Sequence, residues 1–215
     1  MWLVAGYKPS QRTFESLLFA CSNKGDIKAA ERVLTSMEEA NVPVTQLTYQ
    51  LLMSTLARAQ AVQSHPSQRI ENAIRAQELF SDMSNMPNFY DELLDQRLLN
   101  TYLNVFASGL LRRHSERCIE LFAKYSLVPD QTTYTTLIKM YARLKDLPKV
   151  VSLLRTMREQ GLAPTSHTYM HAILACVSKR NYTLALRYLK LMKDNGTTWI
   201  ITHTHYRNHQ LHRTS

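Results

Sequence analysis

The amino-acid sequence predicts an all-α fold, a right-handed α-α superhelix (solenoid) of about five helical hairpins. Three observations carry this: the chain repeats itself every 35 residues, each repeat holds two apolar stripes at helical spacing, and turn-forming residues recur between the stripes. Thr13-Phe14, Thr48-Tyr49, Thr133-Tyr134 and Thr168-Tyr169 mark the period, with 35 residues separating the first two and the last two and 85 separating the pairs. A degenerate copy at Leu98-Leu99 divides the 85 into a unit of 50 and a unit of 35. Five copies therefore start at Gln11, Gln46, Gln96, Gln131 and Ser166, and span 11–45, 46–95, 96–130, 131–165 and 166–200. Residues 1–10 read as the end of a preceding repeat, and 201–215 as a His-rich tail or truncated repeat.

The first helix of each copy follows from apolar residues at i, i+3, i+4 and i+7, which share one helix face. In order these are Phe14/Leu17/Leu18/Cys21, Tyr49/Leu52/Met53/Leu56, Leu99/Tyr102/Leu103/Phe106, Tyr134/Leu137/Ile138/Tyr141 and Tyr169/Ala172/Ile173/Cys176. The second helix carries Ile27/Ala30/Leu34/Met37, Ala73/Ala76/Phe80/Met83, Leu147/Val150/Leu154/Met157 and Tyr182/Ala185/Leu189/Met192. In the third copy Arg112 and Ser115 precede Ile119 and Phe122, which predicts a poorly packed first turn. Asp26, Asp146 and Asn181 stand where a side-chain acceptor can satisfy the free N–H groups at a helix start. Gly6, Asn41, Gly161 and Gly196 stand where a helix ends in a left-handed residue, followed by Pro9, Pro43, Pro129 and Pro164. Pro148 falls in a first turn, where its missing N–H costs little. The fifteen additional residues of the second copy, around Gln60 to Gln68 and Met86 to Asp95, are expected as surface loops.

A lone helical pair cannot bury both faces of its stripes, so neighbours must stack and leave a concave side lined by the first helices. Composition agrees with a folded chain, since 45% of the residues are hydrophobic. Cys21, Cys118 and Cys176 form neither a CxxC pair nor an even framework, which points to a reducing compartment. No apolar run approaches the ~18 residues of a membrane span. The net charge of +9 is concentrated between Lys139 and Lys193, which hold eleven bases against two acids. Such a stretch is either a solvated helix surface or the footprint of a polyanion.

The copies PDQTTYTTLIKMYARLKDLPKVVSLLRTMREQGLAPT and PSQRTFESLLFACSNKGDIKAAERVLTSMEEANVPVT, with Thr-Tyr before Leu-Ile, a mid-repeat hairpin, Met and Gly-x-x-Pro, resemble pentatricopeptide repeats over about residues 6 to 200. That resemblance implies a mitochondrial or chloroplast protein that binds single-stranded RNA one base per repeat. It implies that the residue after the helix aromatic and the last residue of each repeat read the base. Here those pairs are Glu15 with Thr45, Gln50 with Asp95, Asn100 with Asp130, Thr135 with Thr165, and Met170 with Ile200. Only Asn100 with Asp130 matches a familiar family combination, one associated with uridine.

Each of these residues also has a plainer use. Ser10, Thr45, Asp95, Asp130 and Thr165 are suitable N-caps. Phe14, Tyr49, Tyr134 and Tyr169 are either core residues by their spacing or platforms on which bases stack. Lys139, Arg143, Arg155, Arg158 and Arg187 are the candidate phosphate contacts. No catalytic residue, cofactor, membrane or small-molecule substrate is expected, because neither the H-x-E…C-x-x-C signature of a zinc deaminase nor a clustered Asp set occurs. His203, His205, His209 and His212 lack Cys or carboxylate partners in the tail, so no metal is assigned there. The other reading of the array is a scaffolding subunit of an organellar ribosome or a comparable RNA–protein complex.

Overall fold

In the computed structural model the described residues are 9–62, 65–86, 89–90 and 94–194. Gly6, Gly196, Ile200 and the tail from 201 onward lie outside them. Ten helices run through the described residues: α1 Gln11–Lys24, α2 Ile27–Glu39, α3 Gln46–Val62, α4 Pro66–Ser84, α5 Gln96–Ser108, α6 Arg112–Lys124, α7 Gln131–Arg143, α8 Leu147–Glu159, α9 Ser166–Ser178 and α10 Tyr182–Asp194. The odd helices stack on one another, α1 on α3, α3 on α5, α5 on α7 and α7 on α9, and each packs against the even helix that follows it. The result is a two-layer α-α superhelix whose core lies between the layers. Leu18, Met53, Leu103 and Ile138 of the inner layer and Met37, Met83, Phe122 and Met157 of the outer layer are fully buried there. Truncating any one of them to Ala removes packing that typically contributes ~2–5 kcal/mol.

Helix starts are fastened as expected. Asp26 accepts from Ala29 N–H at 3.0 Å, Asp146 from Lys149 N–H at 3.2 Å and Asn181 from Leu184 N–H at 3.2 Å. Pro148 sits in the first turn of α8. Seven helix ends share one geometry. After α1, α5, α7 and α9 the chain closes through Asp26 N to Cys21 O, Leu111 N to Phe106 O, Asp146 N to Tyr141 O and Asn181 N to Cys176 O. After α2, α6 and α8 it closes through Val42 N to Met37 O, Leu127 N to Phe122 O and Leu162 N to Met157 O. These are the six-residue closures of a helix ending in a left-handed residue. Gly25 and Gly161 adopt that conformation, and so do Asn41, Leu110, Ser126, Lys145 and Arg180.

Four expectations are corrected. Within the Gln60 to Gln68 region, residues 60–62 belong to α3 and 66–68 to α4, because α3 extends to 17 residues and α4 to 19 where the other helices have 13 or 14. Gln60 is buried in α3 and donates through Nε2 to Arg69 O at 2.7 Å, tying the two long helices together. The second insertion is not wholly surface either: Phe89 is 0% exposed and stacks edge-on against Phe80 at 5.8 Å and Tyr125 at 6.0 Å. The first turn of α6 packs well, because Ser115 is buried and returns its hydroxyl to Leu111 O at 3.1 Å, and the buried stripe continues through Cys118 and Phe122. Tyr182, placed in a buried stripe by its spacing, is 60% exposed at the start of α10.

Candidate nucleic-acid interface

The concave side is a groove of about 820 Å³ lined by the odd helices, including Ser54 and Arg58 of α3, Asn100 and Asn104 of α5, and Thr136 and Lys139 of α7. Its floor follows from helical geometry, since residues four apart lie one above the other. Starting one residue after each aromatic position, the first row is Glu15, Gln50, Asn100, Thr135 and Met170. One turn on come Phe19, Ser54, Asn104, Lys139 and Leu174, and a further turn on Asn23, Arg58, Ser108, Arg143 and Ser178. The middle of the floor is polar and its two ends, at Phe19 and Leu174, expose large apolar side chains.

The first row meets the residues that precede the next odd helix. Asn100 Nδ2 donates to Asp130 Oδ1 at 3.0 Å, and Thr133 Oγ1 donates to Asn100 Oδ1 at 2.6 Å. Thr45 Oγ1 donates to Glu15 Oε1 at 3.1 Å. Thr135 reaches Thr165 through the Thr168 hydroxyl, with oxygens 2.8 Å and 2.9 Å apart. Gln50 and Asp95 both lie at the groove side but are not joined; Asp95 instead accepts from Leu98 N–H at 2.6 Å. Met170 is half-buried in α9, and its partner Ile200 is outside the described residues. Capping and pairing coexist: Asp130 Oδ1 accepts from Thr133 N–H at 2.8 Å while also taking Asn100, which leaves Oδ2 with acceptor capacity.

The aromatics Phe14, Tyr49, Tyr134 and Tyr169 are all buried. They serve the core, and Tyr134 returns its hydroxyl to Gln160 Oε1 at 2.8 Å.

The five candidate phosphate contacts divide between two surfaces. Lys139 lines the groove, and Arg143 at the end of α7 donates through Nη1 to Ser108 O at 3.1 Å. Arg155, Arg158 and Arg187 instead rim an outer recess of about 600 Å³ between α8 and α10, floored by Leu154, Leu184 and Leu191. Arg155 pairs with Glu159 at 3.4 Å, and Arg158 donates to Tyr169 Oη at 3.0 Å. Beside Lys139, burial is the chief cause that lowers the His171 pKa from 6.5 to about 4, and the charges of Lys139 and His167 add to it.

Of the second and third rows, sequence reasoning named only Lys139 and Arg143 and missed the rest, among them Ser54, Arg58 and Asn104. The signal was available as steps of four from Gln50 and Asn100. Among the described residues no group of three His, Cys, Asp or Glu could hold a metal ion, and no helix is long and apolar enough to cross a membrane.

Family models match three stretches: a pentatricopeptide repeat domain over residues 4–58, a PPR repeat family over 129–171, and a PPR repeat over 167–197. The chain belongs to the pentatricopeptide repeat family. This pentatricopeptide repeat array is 33% identical over 111 residues to pentatricopeptide repeat-containing protein 1, mitochondrial, of Pongo abelii, covering 48% of this chain and 15% of that protein. It is 24% identical over 207 residues to the mitochondrial 15S rRNA processing factor CCM1 of Yarrowia lipolytica, covering 93% of this chain and 25% of that protein. The maize pentatricopeptide repeat protein PPR10, solved in complex with an 18-nt psaJ RNA element, superposes with a TM-score of 0.74 at 20% identity, covering 90% of this chain and 27% of that one. The array thus spans a quarter or less of these curated relatives.

Proposed function

We propose that this array binds single-stranded RNA along its concave groove, one base per helical pair, as part of RNA processing, stability or translation in a mitochondrion or chloroplast. The observation that carries the reading is the Asn100–Asp130 pair, held at 3.0 Å on the groove side of α5 and α7. A rigid amide and a carboxylate with spare acceptor capacity present a fixed hydrogen-bonding edge to a base. The reading assigns one nucleotide to each of the units 11–45, 46–95, 96–130, 131–165 and 166–200, and uridine to the Asn100–Asp130 position. Names of relatives support the compartment, since three are designated mitochondrial and one chloroplastic. The groove supplies amides, hydroxyls and cations for binding, and the array itself is assigned no catalytic step.

Selection of short single-stranded RNA from a random pool at about 150 mM salt tests this, with titration of the winners across salt. Enrichment of a motif with a fixed uridine that is lost on changing Asn100 and Asp130 is the expected result. Absence of salt-sensitive RNA binding would replace the reading with a protein-binding scaffold.

A further inference from the structure

The even helices, which form the outer layer, expose large apolar side chains in two places among the described residues. Ile70 and Ile74 stand 55% and 50% exposed on α4, and Val151 of α8 with Tyr182 and Leu186 of α10 are exposed toward the other end of the array. Helices α2 and α6 of the same layer expose none. A lone exposed apolar side chain is ordinary, whereas neighbours a turn apart make a patch.

The two places are opposite in charge. On α4, helical spacing turns Ser67, Glu71, Ile74, Glu78 and Ser81 away from the buried stripe of Ala73, Ala76, Phe80 and Met83, with Ile70 and Asp82 on the flanks. The outward ridge is therefore acidic and apolar, and its basic neighbour Arg75 is turned toward α2, where Nε meets Glu31 Oε1 at 3.7 Å. The recess of about 600 Å³ between α8 and α10 has the reverse character. Its floor is Leu154, Leu184 and Leu191, and both of its rims are cationic, Arg155 and Arg158 on α8 and Arg187 on α10. Arg155 pairs along its own helix with Glu159 at 3.4 Å, and no ion pair crosses from α8 to α10 among the described residues. Like charges on both rims of an apolar recess repel each other. An acidic, apolar ridge laid between them removes that repulsion and covers the leucines.

Sequence and geometry narrow what can lie there. Residues 195–215 contain neither Asp nor Glu, so they do not complement the recess. A further helical pair stacked on α9 and α10 would lie beyond α10, on its far side from the recess. The one aromatic side chain in the lining, Tyr188, is 5% exposed and offers no face on which a base could stack. The α4 ridge of another copy has the required chemistry: Ile74 for the leucine floor, and Glu71 and Glu78, about 10 Å apart along the helix, for the arginine rims.

We propose that the outer ridge of α4 in one copy of this chain docks into the α8–α10 recess of a second copy. The contact joins different patches of the two copies, so it adds copies head to tail. It uses the outer layer alone and leaves the concave groove of each copy uncovered.

The test is sedimentation equilibrium of the nuclease-treated full chain over about 1 to 100 µM in about 50 mM salt, where exposed charges are weakly screened. The average mass is expected to rise with concentration above that of one chain, and to fall back when salt is raised to about 500 mM. Glu78→Arg and Arg187→Glu each set like charges against each other and are expected to weaken association about tenfold. Both side chains are exposed, so neither change disturbs the core. An equal mixture of the two variants is expected to associate again, since the unaltered ridge of one meets the unaltered recess of the other. A chain that stays single at every concentration overturns the proposal; the recess then falls to an acidic partner of another kind or, should Arg187→Glu lose RNA affinity, to nucleic acid. Association untouched by both reversals overturns it as well, because the copies then meet through another face. A mixture no stronger than the single variants does the same, since ridge and recess then do not meet each other.

Discussion

Asn100 and Asp130 sit on successive helical pairs, and the amide of one donates to the carboxylate of the other at 3.0 Å. Thr133 closes the triangle, giving its hydroxyl to Asn100 at 2.6 Å and its backbone N–H to Asp130 at 2.8 Å. The bond that caps α7 and the bond that orients the amide thus share one carboxylate oxygen, so the orientation of the Asn100 amide and helix initiation are coupled at this point.

Replacing Asn100 by Ala deletes the amide and leaves the Thr133 hydroxyl to its local cap. Removal of a base-edge hydrogen bond of ~1–3 kcal/mol is expected to lower affinity for the preferred RNA about tenfold and to erase discrimination at one nucleotide only. Filter binding to RNAs varied one position at a time measures this, and an unaltered profile sinks the reading role of Asn100.

Gly25 and Gly161 both have positive φ, 71° and 74°, yet they differ in surroundings. A Cβ on Gly25 meets Ala59 N at 2.9 Å, while one on Gly161 meets nothing within 4 Å. Gly161→Ala should cost about 1 kcal/mol from backbone conformation alone, and Gly25→Ala clearly more because α1 must move off α3. Urea unfolding of the two variants gives the order directly; equal midpoints contradict the close approach.

Phe89→Ala is expected to destabilise the chain by ~3–5 kcal/mol, as for a ring removed from a packed core. The same change in a surface loop has almost no effect. A thermal melt within about 2 °C of the original, too small for even about 1 kcal/mol, would return the second insertion to the surface.

His171 supplies a pH dependence whose sign is set by its depressed pKa. Its folded pKa of about 4 lies below the ordinary 6.5, so the unfolded chain takes up the proton first as pH falls. The stability it contributes is full above pH 6.5 and is lost between 6.5 and 4. His171→Gln should flatten the decline in urea midpoint across that window, and an identical decline in both proteins would show that other groups govern it.

Much of the fold was legible because a 35-residue period repeats the same stripe and the same punctuation in phase, so one copy's ambiguity is resolved by the next. The long α3–α4 hairpin was not. His65-Pro66 reads locally as a break, but Pro66 stands in the first turn of α4, where a missing N–H is harmless, and the polar residues after it form an exposed helical face. Tyr182 shows the opposite failure: its spacing places it in the stripe, yet it stands exposed in the first turn of α10. At the groove, the Asn100–Asp130 pair was visible through the family pattern, whereas the Gln60 bond to Arg69 O behind it was not, because that bond depends on where an insertion folds and no periodicity carries that.

The shared closure of the turns has a geometric corollary. Seven helix ends, of both kinds, reverse the chain through the same six-residue bond, between 2.8 Å and 3.1 Å in length, whichever residue occupies the left-handed position. Joints that are the same at these seven ends cannot make one of those steps differ from another. Among those steps, variation in pitch and curvature must then come from the volumes of the side chains wedged between successive helices, which makes the radius of the groove adjustable by substitution in the core without touching a turn or a residue that faces the groove.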